Sequence, residues 1–195
     1  MTAAIRRATP SLQICRGAAF LGSVAPDLPL YVLCLNGLLY YRYVVGWTLP
    51  EAADWIFGTL YFEHPAWIGL HNFLHSPLNL GALLVLNRFA VRSIAWRWWG
   101  FWFLCSCLLH SLVDILTHYD DGPLLLWPLN WHLRFQSPVS YWDSDYSGAQ
   151  FFVFEAGLNM ALLTYLLVPV AMRRFANRTA LQPATESETG AEHSE

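Results

Sequence analysis

The sequence predicts an all-α, polytopic membrane helical bundle with about four transmembrane helices. Of its 195 residues, 55% are apolar and 16% aromatic, whereas only 13% are charged. That charged fraction is about half of what an ordinary soluble domain carries. Four stretches are long and apolar enough to cross a bilayer, which takes about 20 helical residues. The composition excludes a disordered chain, a coiled coil and a basic nucleic-acid-binding domain, so no nucleic-acid partner is expected.

Each predicted span contains polar side chains within an otherwise apolar run. The spans are residues 28–46, 66–87, 98–117 and 150–171. The polar groups in them, in chain order, are Arg42, His71, His75, His110, Asp114, Glu155 and Asn159. Because ionisable groups within a membrane are costly, they are candidates for a functional site.

The arginines predict the orientation of these spans. If the spans alternate, nine of the eleven arginines fall on one side: Arg6, Arg7, Arg16, Arg88, Arg92, Arg97, Arg173, Arg174 and Arg178. The positive-inside rule places that side, with both termini, in the cytoplasm. The lipid bilayer is therefore the first expected partner.

Two segments lie outside the spans. The far-side loop 119–149 is rich in Pro, Trp and Asp and too long for a simple turn, so it is a candidate cover for a site. Residues 177–195 are polar and acidic and are predicted to form a disordered tail. The folded membrane domain is accordingly predicted to be residues 1–176.

Two histidine-containing segments have the spacing of metal ligands. His110, Asp114 and His118 stand at i, i+4 and i+8, which places them on one face of a helix. His71 and His75 repeat the i, i+4 spacing in the preceding span. Imidazole and carboxylate ligands of this kind suit zinc or another borderline divalent metal.

The two segments are predicted to meet at one depth in the membrane. Counting at about 1.5 Å per residue puts His71, His75, His110 and Asp114 about 5 to 13 Å below the far surface. Glu155, five residues into the last span, joins this layer, and His118 lies at its rim. One histidine on an apolar helix is commonly a hydrogen-bonded core residue, but the two pairs together favour a metal site.

Three blocks of the sequence resemble the YdjM-like bacterial inner-membrane proteins, which are described as membrane-bound metal-dependent hydrolases. The blocks are APDLP at 25–29, HNFLHS at 71–76 and LLHSLVDILTHYDDGPLLLWP at 108–128. The resemblance covers about residues 17–170 and implies a multi-pass protein of the bacterial inner membrane. It implies the metal ligands Asp27, His75, His110 and Asp114, with His71 close by.

The sequence departs from the family pattern in all three blocks. Pro29 stands where many members have a second Asp. Asn72 and Phe73 stand where the family has Arg-Gly, and the two histidines of that block are one residue closer together. Either His71 or His75 therefore remains a candidate for the direct ligand. His118 stands where the family usually has proline.

Asp27 adds a further element to the predicted fold. Simple alternation puts it at the cytoplasmic start of the first span, whereas a metal ligand must reach the far-side layer. A re-entrant or interfacial half-helix over residues 11–26 that breaks at Pro26 and Pro29 satisfies both requirements, since irregular backbone is tolerated where it lines a polar cavity.

The resemblance implies a hydrolase in which a divalent metal, with zinc as the first candidate, lowers the pKa of a bound water to about 7. Glu155 and His71 are the candidates for the catalytic general base. Ser76, Ser111 and Thr117 could orient the ligands by hydrogen bonds. The order Asp, His, HxxxD is also similar to the zinc-dependent phospholipase C and P1 nuclease group. That similarity implies a phosphoester substrate, such as a phospholipid or another lipid-linked molecule.

Two other functions use the same residues. A divalent-metal transporter would need them along a continuous polar path to the cytoplasmic side. A noncatalytic membrane scaffold would use them to tie helices together and would bind no metal.

Overall fold

The structure, a computed structural model of the chain, describes residues 14–141 and 143–180, and for residues 173–180 it describes the backbone only. In these ranges the regular backbone is helical, with one isolated β-bridge between Leu124 and Arg134. The longer helices are α1 (Arg16–Val24), α2 (Leu28–Tyr40), α3 (Leu49–Trp55), α4 (Pro65–Asn72), α5 (Pro77–Ala90), α6 (Ile94–Thr117) and α7 (Gly148–Ala180). After α3 the chain continues in a π-helical turn, Ile56–Leu60, and a short α-helical turn, Tyr61–Glu63; a 3-10 turn, Ser144–Tyr146, precedes α7. The all-α prediction is confirmed.

Three helical segments in the described part of the chain are long and apolar enough to cross a membrane. They are Leu28–Val45, Ile94–Thr117 and Gly148–Met172, and they correspond to the first, third and fourth predicted spans. The first combines α2 with the π-helical turn Tyr41–Val45. It ends at Gly46, whose φ of 88° suits a residue without a Cβ atom.

The second predicted span is broken. α4 ends at Asn72 and α5 begins at Pro77, so residues 66–87 are two helices joined by a turn. Proline starts a helix readily because the first helical N–H has no partner within the helix in any case. The Asn72 side chain fixes the turn, since its Oδ1 accepts the N–H of Leu124 at 2.7 Å. The structure thus has three continuous candidate spans and one broken helix pair in place of the four predicted spans.

The short helix α1 occupies the region of the predicted half-helix and packs on α6. Its buried residues are Ala18, Ala19 and Gly22. A Cβ atom at Gly22 would lie 2.2 Å from the carbonyl oxygen of Phe103. The two helices can therefore approach this closely only because residue 22 has no side chain.

The loop between α6 and α7 folds back over the α4–α5 break. The hydroxyl of Ser76 donates to the carbonyls of Leu125 and Trp127 at 3.3 and 3.0 Å. Ser137 donates to the carbonyl of Leu116 at 2.7 Å, which attaches the loop to the end of α6. The loop is thus fixed to both helical segments that carry the candidate histidines.

The last helix extends past the predicted end of the folded domain. α7 continues through Ala180, four residues beyond residue 176. Residues 177–180 contain neither glycine nor proline, so nothing in them stops a helix. Residues 181–195, the rest of the predicted tail, lie outside the described residues.

A capping box begins α3 and gives a first prediction. The N–H of Thr48 donates to Glu51 Oε2 at 2.8 Å, and the N–H of Glu51 donates to Thr48 Oγ1 at 3.4 Å. The N–H and the hydroxyl of Thr48 both donate to the Glu51 carboxylate, which holds the pKa of this carboxyl below its ordinary value. Thr48→Ala removes a cap of the usual strength, so we expect the melting temperature in detergent to fall by roughly 2–4 °C. Thr48→Ser is the control and should leave it unchanged; equal melting temperatures for the two variants would contradict the role of the cap.

Candidate metal centre

Four ligand-type side chains meet at one point in the structure. Asp27 comes from the turn between α1 and α2, His75 from the α4–α5 break, and His110 and Asp114 from α6. One potential ligand atom from each lies within 4.8 Å of the other three. We refer to these four residues as the His/Asp cluster.

The distances within the His/Asp cluster fit a single ion. Nε2 of His75 lies 3.4 Å from Oδ1 of Asp27 and 3.2 Å from Oδ2 of Asp114. Nε2 of His110 lies 3.4 and 3.1 Å from the same two oxygens, and the two Nε2 atoms are 3.3 Å apart. In a tetrahedral zinc site with ligand bonds of about 2.0–2.1 Å, ligand atoms are about 3.3–3.4 Å apart. The donor set therefore fits a divalent ion such as zinc.

Backbone carbonyls orient both imidazole rings of the cluster. Nδ1 of His75 lies 2.8 Å from the carbonyl oxygen of His71, and Nδ1 of His110 lies 3.1 Å from that of Ser23. Because a carbonyl only accepts, each Nδ1 carries the hydrogen, and in the neutral ring Nε2 presents its lone pair to the cluster. Metal-binding histidines are commonly oriented in this way.

The predicted orienting hydroxyls take different positions. Ser111 donates to the carbonyl of His75, which connects α6 to the α4–α5 break directly beside the ligands. Ser76 bonds the covering loop, and Thr117 bonds the Val113 carbonyl of its own helix at 2.9 Å. Of the three, only Ser111 bonds a residue of the cluster.

His71 lies beside the cluster but outside it. Its ring centroid is 4.2 Å from that of His75, and its Nε2 is 3.0 Å from Tyr61 Oη. Tyr61 donates to the carbonyl of Asp121 at 2.6 Å, so its oxygen accepts the Nε2–H of His71. Burial raises the pKa of Tyr61, which keeps the hydroxyl protonated. His75 therefore lies in the cluster, and His71 contacts the His75 ring through its backbone carbonyl.

His118 and Glu155 are placed differently from the cluster. α6 ends at Thr117, and His118 has extended backbone, so the i+8 position no longer shares the face of His110. His118 therefore lies outside the His/Asp cluster: its Nδ1 donates to the Asp114 carbonyl at 2.9 Å and its ring packs on Tyr141. Glu155 is exposed on α7 and lines the same cavity as Asp27 and Asp114.

Sequence reasoning missed three residues around the site. Tyr61 bonds His71, Asn72 fixes the helix break, and Arg134 lies over the rings of Tyr61 and Phe62, with its guanidinium carbon 5.5 and 5.3 Å from their centroids. Arg134 also donates to the carbonyl of Gly122. Of these three residues, only Asn72 stands in one of the blocks that resemble the family, HNFLHS. Nothing in the sequence pattern pointed to Tyr61 or Arg134.

The bond between Ser111 and His75 gives a second prediction. Ser111→Ala should lower zinc affinity by about tenfold, because the backbone that carries a ligand loses a support. Competition with a chromogenic chelator measures this directly. Ser106→Ala, a buried hydroxyl earlier in α6, is the control; equal affinities for the two variants would show that the Ser111 bond does not support the site.

Comparison with known proteins gives a match over most of the chain. A family model described as YdjM inner membrane protein matches residues 1–180. No curated protein and no solved structure gives a significant match. The similarity to the phospholipase C and P1 nuclease group thus rests on the order of the candidate ligands alone.

Proposed function

Since the chain belongs to the YdjM family of inner membrane proteins, we propose that it is a membrane-bound metal-dependent hydrolase. The His/Asp cluster would hold one divalent ion, with zinc as the first candidate, and the substrate would be a phosphoester or a lipid-linked molecule. The observation that carries this proposal is the set of five ligand-to-ligand distances between 3.1 and 3.4 Å. An oriented lone pair on each imidazole supports it.

A divalent ion bound here would supply a Lewis acid that polarises the scissile bond and activates water. His75 and His110 would bind it through Nε2, and the two carboxylates would balance its charge. The side chain of His75 is fully buried, whereas Asp27 and Asp114 are 30% and 20% exposed. Substrate and water would therefore approach from the carboxylate side, which faces the cavity.

Hydrolysis of a phosphoester needs a proton acceptor. The water oxygen bonds to phosphorus, the ester P–O bond breaks, and the departing alkoxide takes up a proton. Glu155 is one candidate acceptor, because it lines the cavity. His71 is the other: its Nδ1 is buried, and in the described part of the chain it has no hydrogen-bond partner.

The proposed orientation has both termini in the cytoplasm, as the arginine distribution predicts. It requires the α4–α5 pair to serve as a fourth crossing beside the three continuous candidate spans. The pair has 8 and 14 residues, together about 33 Å at about 1.5 Å per residue. That length matches a hydrocarbon core of about 30 Å.

The transporter alternative receives no support from the packing below the cluster. Cys107 and Leu104, which precede His110 on α6, pack with Leu80 in a buried apolar core. A hydrated metal ion has no polar path through such side chains. The scaffold alternative, in which protonated histidines pair with the two carboxylates, differs from the hydrolase in binding no metal.

The proposal is tested with the purified full chain in detergent, stripped of metal with a chelator and then reloaded with zinc. We expect the reloaded protein to hydrolyse bis(p-nitrophenyl) phosphate or a phospholipid, and the stripped protein to be inactive. A fully loaded protein that cleaves no phosphoester would contradict the proposal. Zinc transport by proteoliposomes without hydrolysis would favour the transporter.

A further inference from the structure

The cavity beside the His/Asp cluster is larger than a small phosphate ester needs. Its volume is about 1260 Å³, whereas pockets for drug-sized ligands occupy about 300–1,000 Å³. It reaches from Asp27 and Asp114 to the inner face of α7. A substrate that fills it must extend well beyond the atoms that contact the cluster.

One wall of the cavity is an apolar stripe on α7. Phe151, Phe154, Leu158 and Leu162 line it at i, i+3, i+7 and i+11, which is one face of a helix, and Glu155 and Asn159 line the cavity beside them. Phe154 is 63% exposed and Leu158 47% exposed, so the residues that the structure describes leave this face largely uncovered. The opposite wall includes Leu30 on α2 and Val113 on α6.

The three helices that form these walls are the three candidate membrane spans. A cavity between helices that cross a membrane is accessible to lipid chains. Its apolar length suits a hydrocarbon chain, whose burial is favourable by about 0.8 kcal/mol per CH₂. The cavity therefore fits an amphiphile with its polar group at the cluster and its tail along α7.

The polar end of the cavity indicates the charge of the head group. Beyond the cluster it is lined by the carboxylates of Asp120 and Glu155 and the rings of Tyr31 and Tyr141. Among the described residues that line it, none is Arg or Lys. Carboxylates and aromatic faces attract an ammonium group and repel a second anionic group.

We propose that the substrate is a zwitterionic amphiphile, in which a phosphoester joins a lipid tail to an ammonium-bearing head; this inference rests on the proposed function. The phosphoester lies at the His/Asp cluster, the ammonium group lies beside Asp120 and Glu155, and the tail lies along Leu158 and Leu162, the part of the α7 stripe beyond Glu155. An anionic lipid of equal chain length shares the tail contacts but lacks the favourable head contacts.

The test measures binding apart from hydrolysis. Native mass spectrometry of the zinc-loaded full chain in detergent counts intact bound dioctanoyl phosphatidylethanolamine and dioctanoyl phosphatidylglycerol, while release of products is followed in a separate assay. We expect the ethanolamine lipid to bind at least about fivefold more tightly. Equal binding, or tighter binding of the glycerol lipid, would overturn the proposal even if hydrolysis of other phosphoesters is found.

Variants locate the two ends of the amphiphile. Leu158→Trp, or Leu162→Trp if the first variant folds poorly, should weaken binding of both lipids about tenfold by filling the cavity. Met160→Trp, on another face of α7, should leave binding of both lipids unchanged.

Asp120→Asn should reduce the preference for the ethanolamine lipid about threefold, and Asp145→Asn should leave this preference unchanged. Unaltered binding in the tryptophan variants of the stripe would contradict the placement of the tail, and an unaltered preference in Asp120→Asn would contradict that of the head.

Discussion

Replacing His110 with Ala and Asp114 with Asn together is expected to reduce bound metal from about one equivalent to less than about one tenth. The double variant loses one imidazole and one carboxylate of a four-residue donor set. Neither change alters a backbone bond of α6, and both sites are only partly buried, so the protein should remain folded and in the membrane. Elemental analysis of the detergent-purified protein measures the loss.

His118→Ala is the matched control, because it removes a histidine from the end of the same helix but outside the cluster. We expect it to keep its metal. The single variant Asp114→Asn, which preserves side-chain size, should lower hydrolysis at least about 100-fold. If the double variant keeps its metal, the His/Asp cluster is not the metal site. If the unmodified protein holds no metal after zinc reconstitution, the scaffold alternative is favoured.

Gly22→Ala is expected to have the largest effect of an alanine at any glycine that the structure describes. The new Cβ would lie 2.2 Å from the Phe103 carbonyl oxygen and 2.9 Å from the Ser106 Cβ, so α1 must move away from α6. The carbonyl of Ser23, which holds His110, would move with it, as would Asp27 after the following turn. We expect a melting temperature at least about 5 °C lower and zinc affinity at least about tenfold weaker.

Gly17→Ala provides the matched control for that variant. Gly17 lies in the same helix, but a Cβ atom there would meet nothing within 4 Å. Because alanine favours a helix over glycine by up to about 1 kcal/mol, this variant should be as stable as the parent or more stable. Thermal unfolding and chelator competition on both variants are the measurements. Equal values for Gly22→Ala and Gly17→Ala would show that the approach of α1 to α6 does not position the site.

The fold class and part of the site could be predicted from the sequence because they depend on short-range patterns. Apolar runs of sufficient length identified the segments Leu28–Val45, Ile94–Thr117 and Gly148–Met172. The i, i+4 spacing placed His110 and Asp114 on one face of α6, and both lie in the cluster. His75 was a candidate from its spacing to His71 as well as from the family resemblance, whereas Asp27 followed from the resemblance alone.

The remaining features depend on how the helices pack. Periodicity cannot show that α4 stops at Asn72, because the break is stabilised by a bond from Asn72 to Leu124, 52 residues away. For the same reason the sequence left His71 and His75 equivalent. His118 does not share the helix face of His110, as its i, i+8 spacing predicted, because α6 ends one residue earlier at Thr117.

The sequence by itself determined that this chain is a membrane-type helical bundle with ligand residues on α6. Only the tertiary structure decided which histidine faces them and which carbonyls orient the rings. Helical spacing fixes directions around one axis, whereas the rotation and separation of two helices are set by side-chain packing between them. In this protein the close approach of Gly22 to Phe103 and the hydrogen bond from Ser111 to the His75 carbonyl set the separation and rotation of the helices. The His/Asp cluster forms where these helices come together.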